Sequence, residues 1–598
     1  MKILGIHDGQ TSGASVVVDG RLVSAVNEER LVRLKQARGF PRRSISEALR
    51  LAGVAADEVD GVALGHRDMS LREEVRAWRG WFEERRSDLS VHAAFFRVAA
   101  RYADLAERFP VLKRLYYSLR WPVYARRRRG IRRILADEFG IDAPVRFFHH
   151  HFSHAVAAHR ASGFDDALVV TMDGGGDGDS SHVYSVRDGR WERLKAVDAY
   201  DSLGNWYAYV THLSGFKAKK HEGKITGLAA RGEPRHRDLL DRMVGYEGGG
   251  TVNRGKVLFD GALEKLREEL PEGWRREDLA ASVQRLAEDL ATRHVSHWLE
   301  RTGHDRVAVA GGLFANVRIN QEIHEIPGVE EIFVFPGMGD EGLSPGAAWA
   351  LHDELSDAAP PARGRIPDVY LGTSHDEAAM EAALEAGELD YERAAEPEEA
   401  VAEKLAQGAV VARFDGAMEF GPRALGHRSI LYQPTDPSAQ DWLNECLDRT
   451  EFMPFAPAVL LEEADRCFEG VDGARDTARF MTITFRCTPW MRENCPGVVH
   501  VDGTARPQLV DREESPSFWR IIDAYRRRTG LPAIVNTSFN MHEEPIVCSP
   551  EDAVRAFRAS QLDFLSLGPF LARSPTASDG VSPYRGRSSR ASSPAGTG

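Results

Sequence analysis

The chain has 598 residues, a formal net charge of -13 and 42% hydrophobic residues. That length exceeds what one hydrophobic core ordinarily supports, so two or more domains are expected. The acidic balance argues against a protein that coats nucleic acid, which needs a broad excess of Lys and Arg. No stretch approaches the ~18 uninterrupted apolar residues of a membrane span, and MKILGIHDG runs into a strand pattern with no leader-like segment. All five cysteines (Cys446, Cys467, Cys487, Cys495, Cys548) lie in the last third, with no C-x-x-C pair and no disulfide-like spacing. A soluble cytoplasmic protein is expected. The arginines at 126 to 129, 132 and 133 form one basic run, which reads as the solvated face of a helix.

The opening predicts strand, turn, strand, turn, strand: KILGI, HDGQTSG, ASVVV, DG, RLVSAV, with Asp19-Gly20 as a hairpin turn. A matching unit returns at 167 to 195, where ALVVTMD, GGGDGDSS, HVYSV, Asp188-Gly189 and RWERL follow in the same order. Two such units far apart point to a domain-level duplication. Residues 44 to 140 carry mostly helical periodicity, and 277 to 303 read as a long amphipathic helix. RVAVAGGLFANVRIN and EIFVFPGMGDEGLSPGAA add a third and a fourth apolar strand of an α/β domain. A Pro/Ala/Gly-rich stretch after helix GAAWALHDEL marks the main boundary, giving domains at 1–360 and 367–573. The second domain is α/β again, with helix PEEAVAEKLAQG and strands AVVARFDG, FMTITF and PAIVNTSF; 574–598 has the composition of a disordered tail.

In FFHHHFSHAVAAH, His150 and His154 are four apart, which on a helix puts both imidazoles on one face within reach of one metal ion. His149, His151 and His159 crowd the same stretch, so a structural histidine cluster competes with the metal reading. Asp173 and Asp340 each sit where a strand gives way to a Gly-rich turn, and a borderline divalent ion accepts mixed imidazole and carboxylate ligands. Asp177 and Asp179 compete in the first loop, and ordinary turn chemistry also places Asp beside Gly. The Gly-rich turns at 174–176, at Gly311 and Gly312, and at 337–342 leave backbone N–H groups for phosphate oxygens at strand ends. In KKHEGKITGLAARGE, Lys224 is placed to balance a phosphate and Glu222 to contact an acceptor or position Lys224, against the alternative of a surface ion-pair loop. EFGPRALGHRSIL projects Arg423 and Arg428 from a rigid turn, planar guanidiniums suited to phosphate or carboxylate. Downstream lie Arg506 and the polar cluster Asn536, Thr537, Ser538 and Asn540 at a strand end.

HDGQTSGAS, NEER, HHFSHA, EGKITGLA, GGLFANVRIN, GDEGLSPGAA, EFGPRALGHRSIL, EFMPFAP, HVDGTARPQ and NTSFN run in order from about residue 5 to about 550. Together they resemble the carbamoyltransferase family that includes nodulation-factor and antibiotic-tailoring O-carbamoyltransferases. The resemblance implies an actin-like ATPase (Kae1/TsaD-like) first domain and a YrdC-like α/β second domain. It implies a cytoplasmic enzyme of secondary metabolism that makes carbamoyl-adenylate from ATP and carbamoyl phosphate, then passes the carbamoyl group to a hydroxyl of a small molecule: a sugar, nucleoside or polyketide-like natural product. His150, His154, Asp173 and Asp340 would hold Fe(2+) or another divalent metal, with Mg(2+) a further candidate cofactor. His7 would be the general base, and Lys224, Arg423 and Arg506 would act on the phosphate and carbamoyl groups. Glu222, Gly311, Gly312, Asn316, Arg428, Arg449, Asn536 and Ser538 would complete the substrate and nucleotide contacts. Many relatives carry a Lys and an Arg where this chain has ECLDRTEFMPFAP, so Met453 stands at the Arg position and Arg449 is the candidate for the missing charge. Two other readings compete: carbamoylation of a macromolecule such as tRNA, and a non-catalytic nucleotide-binding or maturation protein on the same superfold. The helical insertion at 66 to 140 is the candidate acceptor wall, and relatives suggest a homodimer.

Overall fold

A computed structural model describes residues 1–87, 110–356, 364–447, 455–560 and 562–574. The chain divides into two compact units, Met1–Pro367 and Asp368–Gly598. Among the described residues no helix is long and apolar enough to cross a membrane.

The first unit holds two five-stranded sheets of one plan. In the first, β1 (Lys2–His7), β2 (Gly13–Val18), β3 (Arg21–Asn27), β4 (Gly61–Leu64) and β5 (Val145–Phe147) are ordered β3-β2-β1-β4-β5. The second is built from β6 (Ala167–Gly176), β7 (Asp179–Arg187), β8 (Arg190–Asp198), β9 (Arg306–Ala310) and β10 (Glu331–Val334), ordered β8-β7-β6-β9-β10. In each, the first three strands form an antiparallel meander and the last two join in parallel. The two Asp-Gly pairs turn the corresponding hairpins, with positive φ at Asp19 (48°) and Gly20 (81°) and at Asp188 (49°) and Gly189 (75°), the two-residue turn whose twist matches that of the strands. The duplication expected from the sequence is present as topology, the repeated sheet of an actin-like fold.

Strand pleating sends alternate residues of β1 to opposite faces. Leu4, Ile6, Val16 and Val62 meet Ile45 and Leu49 of α1 (Arg42–Ala52) and Ile131 and Leu135 of α2 (Pro110–Phe139). The opposite face is covered by a late helix. A methyl at Gly5 would strike the Ser344 carbonyl oxygen at 2.1 Å, and one at Gly61 would meet Leu351 at 2.9 Å. Between the sheets runs α3 (His150–Ser162); α4 (Glu222–Ala229) packs on α5 (Arg276–Thr302), which meets the second sheet, and α6 (Leu343–Leu355) is the helix that returns to the first.

The mostly helical segment 44 to 140 also contains the short strand β4, GVAL, since an apolar run this short carries no period that separates strand from helix. Two expectations for the first unit need correction. RVAVAGGLFANVRIN is a strand only to Ala310, since Gly311 takes φ 108° and the chain then turns into a helix at Val317. The basic run is not wholly a solvated face. Arg127 is fully buried, and its Nη2 and Nε donate to Asp8 at 2.6 and 2.9 Å.

Among the described residues the second unit is built on a mixed sheet of eight strands, with a small three-stranded sheet of Phe468–Glu469, Phe485–Cys487 and Thr504–Ala505 beside it in the chain. β11 (Asp390–Arg393), β12 (Val411–Phe414), β13 (Arg428–Tyr432), β14 (Ala456–Leu460), β15 (Gln508–Val510), β16 (Ala533–Ser538), β17 (Phe564–Leu567) and β18 (Phe570–Arg573) are ordered β11-β18-β17-β12-β13-β16-β14-β15. Val401 and Leu405 of α7 (Pro397–Ala406) and Phe518, Ile521, Ile522 and Tyr525 of α8 (Pro516–Thr529) cover one face of it. FMTITF is not a full strand: Met481 takes φ 57° and Thr482 donates to the Thr477 carbonyl, so pairing starts only at Phe485. The five cysteines carry free thiols, four of them buried. Arg449, Met453, the expected tail from 575 onward, and 88–109 of the helical insertion lie outside the described residues.

Candidate functional site

His149 ends the connection from β5 and caps α3, its Nδ1 accepting the His151 N–H at 3.2 Å. The first turn of α3 therefore carries His150 and His154 on one face. Asp173 sits near the end of β6, and Asp340 opens a short turn after β10. One donor atom from each of these four residues lies within 4.8 Å of the others. His150 Nε2 is 3.1 Å from Asp173 Oδ2, and His154 Nε2 is 3.6 Å from Asp173 Oδ2 and 3.8 Å from Asp340 Oδ1. Both ring nitrogens of His154 are buried without a hydrogen-bond partner. A methyl at Gly176 would meet the His150 ring at 2.2 Å, so only glycine lets the strand pass this close. Burial pushes His150 down to about 4. Burial also opposes charge on His154, yet Asp173 and Asp340 outweigh it and lift that ring to about 9. Two imidazoles, two carboxylates and an orphaned buried nitrogen fit a divalent cation.

His7, at the end of β1, is buried beside this cluster, its Nε2 2.8 Å from the Gln10 carbonyl oxygen and 3.9 Å from Asp340. Burial holds its pKa down to about 4. The carbonyl can only accept, so Nε2 carries the ring proton and the buried Nδ1, which has no partner, keeps the lone pair.

The other aspartates and histidines of the motif are already engaged. Asp177 accepts from the backbone N–H groups of His150, Arg67 and Asp68 at 2.8 to 2.9 Å and meets His66 Nδ1 at 3.2 Å. Asp179 accepts from His182 Nε2 at 2.8 Å, with His149 Nε2 at 3.4 Å. His151 bonds Thr171 and the Asp179 carbonyl.

A second lysine of this segment, Lys219, lies beside the acidic cluster. Lys219 Nζ lies over the Trp81 ring at 4.2 Å and fills the space a methyl at Gly174 would need. Lys224 Nζ lies 5.8 Å from the Phe216 ring. Helix α4 begins only at Glu222, so Lys219 belongs to the turn before it, within electrostatic reach of Asp173 and Asp340. The Glu222 carboxylate accepts the Lys219 N–H, and burial raises its pKa to about 7. A carboxyl whose folded pKa is raised costs stability once pH exceeds the unfolded value and costs most above the folded one. Glu222→Gln is accordingly expected to raise stability at pH 8 by on the order of 1–2 kcal/mol, allowing for partial exposure. Denaturant midpoints should show the gain shrinking toward zero by pH 5.

Gly311 packs against the Met172 carbonyl, where a methyl would stand 2.3 Å away, and Gly312 lies beside Asp173. Asn316 caps a helix and bonds Gln284 at 2.8 Å, so its amide is engaged within the protein.

In the second unit, the loop before β13 is held from within. One oxygen of Glu419 accepts from the N–H groups of Leu425, His427 and Arg428 at 2.8 to 3.1 Å, and Asn536 and Gln508 donate to the Ala424 and Leu425 carbonyls. Arg428 is not presented to a ligand. It is fully buried over the Phe414 ring at 3.7 Å, and it donates to the carbonyls of Asp415, His427, Thr373 and Gly416 at 2.6 to 3.2 Å. Asn536 is likewise a brace, donating to Gln508 at 2.7 Å. Arg423 and Arg506 are the pair the fold brings together. Burial and the Arg423 guanidinium push the Arg506 pKa well below its ordinary range, with no carboxylate countering among the described residues. Two neighbouring guanidiniums present the planar donors that suit an anion such as phosphate or carboxylate. At the end of β16, Ser538 Oγ donates to Asn540 Oδ1 at 2.6 Å.

Sequence reasoning missed His66, whose Nε2 lies 2.8 Å from His150 Nδ1, and it overlooked Lys219. His66 follows a short strand in GHRD with no motif around it. Only the packing of β4 against β1 reveals it.

The chain matches the model of the carbamoyltransferase N-terminus over residues 2–349 and that of the carbamoyltransferase C-terminus over 402–574. It is 35% identical over 591 residues to nodulation protein NolNO of Sinorhizobium fredii, covering 96% of this chain and 80% of the relative. Over 441 residues it is 37% identical to nodulation protein NolO of Bradyrhizobium diazoefficiens, covering 72% and 79%. Component A of the (R)-2-hydroxyglutaryl-CoA dehydratase of Acidaminococcus fermentans aligns in structure with a TM-score of 0.32 and 17% identity, covering 59% of this chain and 98% of that one. Two family models that between them span most of the chain, and a relative 35% identical along nearly all of it, show that this protein belongs to the carbamoyltransferase family, a family of transferases.

Proposed function

We propose that the protein makes carbamoyl-adenylate from carbamoyl phosphate and ATP in its second unit, and that its first unit transfers the carbamoyl group to a hydroxyl of a small molecule. The observation that carries this reading is the division of chemistry along the chain. The neighbouring guanidiniums of Arg423 and Arg506 lie in one unit, and a two-histidine, two-aspartate cluster with a neutral buried histidine beside it lies in the other.

Atom balance fixes the order of the first step. Carbamoyl phosphate gives up its phosphoryl group to water, leaving carbamate. A carbamate oxygen then attacks the α-phosphorus of ATP, and pyrophosphate departs. Arg423 and Arg506 supply the fixed positive charge that such anions need. In the second step the acceptor oxygen attacks the carbamoyl carbon and AMP leaves. His7 is neutral at physiological pH and presents its Nδ1 lone pair, so it can take the acceptor's proton. Lys219 adds a positive charge beside Asp173 and Asp340. A divalent cation held by His150, His154, Asp173 and Asp340, Fe(2+) by analogy with relatives, would supply Lewis-acid stabilisation of negative oxygen there. The acceptor class is a sugar, nucleoside or polyketide-like alcohol.

The test is pyrophosphate release from the purified protein given ATP and carbamoyl phosphate without acceptor, with mass spectrometry for carbamoyl-adenylate. Release should require both substrates. Release from ATP alone, or none from folded protein, would rule the adenylate mechanism out.

A further inference from the structure

We infer that His66 is a positioning residue for the metal cluster: it relays the Asp177 carboxylate to His150 and thereby fixes which nitrogen of His150 faces Asp173. The inference rests on the metal reading proposed above. His66 is buried, its ring tilted against His150 with centroids 4.4 Å apart and stacked on His7 at 5.4 Å.

The argument is one of donors and acceptors. Asp177 is held as an ionised acceptor by the backbone N–H groups of His150, Arg67 and Asp68. His66 Nδ1, 3.2 Å from Asp177 Oδ1, must therefore carry a proton and donate it. A cation in the adjacent cluster disfavours a second positive charge on His66, so with the ion bound the ring is neutral and its lone pair lies on Nε2, 2.8 Å from His150 Nδ1. That contact is a hydrogen bond only if His150 Nδ1 is the donor. The lone pair of His150 is left on Nε2, 3.1 Å from Asp173 Oδ2. Two electron-rich atoms facing each other at that distance are reconciled by a cation between them. The chain from Asp177 through His66 to His150 thus has the form by which proteins orient a metal-binding imidazole and raise its basicity.

The neighbouring group His149, Asp179 and His182 fails the same test. His149 Nδ1 is occupied by the His151 N–H, so its Nε2 carries the proton toward Asp179. Tyr184 lies 2.7 Å from His182 Nδ1 and can donate to it while His182 Nε2 donates to Asp179. That network closes without an ion.

The experiment uses the full chain and its His66→Phe and His66→Gln variants, with Co(2+) as the probe. Affinity is read by chelator competition and the ligand field from the visible absorption spectrum. Phenylalanine keeps the ring's bulk and its packing on His7 but removes the acceptor, whereas glutamine restores an oxygen near the position of Nε2. The expected result is a 10–100-fold loss of affinity with an altered Co(2+) spectrum in the Phe variant, and recovery to within about fivefold of the parent in the Gln variant. A Phe variant that binds within about threefold of the parent, while Asp340→Asn abolishes binding, would overturn the inference and leave the metal reading standing. A Gln variant no better than the Phe variant would assign His66 to packing and also overturn it. Absence of Co(2+) binding by the parent would overturn the metal reading, and this inference with it.

Discussion

Replacing Arg506 with alanine is expected to lower pyrophosphate release driven by carbamoyl phosphate by about 10²- to 10³-fold, the scale on which one preorganised charged donor acts at a reacting anion. Burial, and then the neighbouring Arg423 guanidinium, disfavour the charge on Arg506. An anion relieves that penalty as it binds, so the pair holds its ligand partly by removing its own repulsion. Arg423→Ala should fall in the same range, and the double variant should lose much less than the product of the two, because either change alone already abolishes the repulsion. Arg428→Ala should behave differently. Its guanidinium ties four carbonyls together, so the loss should show as a lower denaturation midpoint rather than a change confined to carbamoyl phosphate kinetics. Rates and stability measured side by side on the three variants would separate these roles. Unchanged release from the Arg506 variant would remove the anion site from the mechanism.

The second large effect concerns the first unit. Asp340→Asn and His154→Ala should each weaken divalent-cation binding by at least ~100-fold, exceeding the loss ordinarily seen for a supporting partner, and should abolish carbamoyl transfer to the acceptor. Pyrophosphate release without acceptor should persist in both, because its residues belong to the other unit. Stripping the parent with a chelator should reproduce the pattern, and returning the ion should reverse it. A parallel fall in pyrophosphate release would show that the two reactions are not divided between the units.

Some of this was legible in the sequence because local rules decided it. The Asp-Gly hairpins follow from backbone preference alone, and the four-residue spacing of His150 and His154 works only because HHFSHAVAAH is a helix. Asp173 and Asp340 were flagged by the glycines beside them, which make room for neighbouring rings and carbonyls. What was not legible depended on direction. Arg423 and Arg428 look alike in EFGPRALGHRSIL, yet Arg428 begins a strand, and the pleat turns it inward under Phe414. The lysines of KKHEGK cannot be ranked until the start of α4 is known, and that start leaves Lys219 in the turn before it, within electrostatic reach of Asp173. Asn316 and Asn536 sit in suggestive motifs, but their amides satisfy the chain's own backbone and side chains.

Helix α6 imposes an order on biosynthesis. The face of the first sheet that carries Gly5 and Gly61 is shaped for Ser344 and Leu351, which are translated about 280 residues after β4. At ordinary elongation rates that is a wait of roughly 15–60 s, during which one side of an apolar sheet has emerged without its cover. A truncation before Leu343 would therefore leave that face of the first sheet without its cover however well the rest had folded.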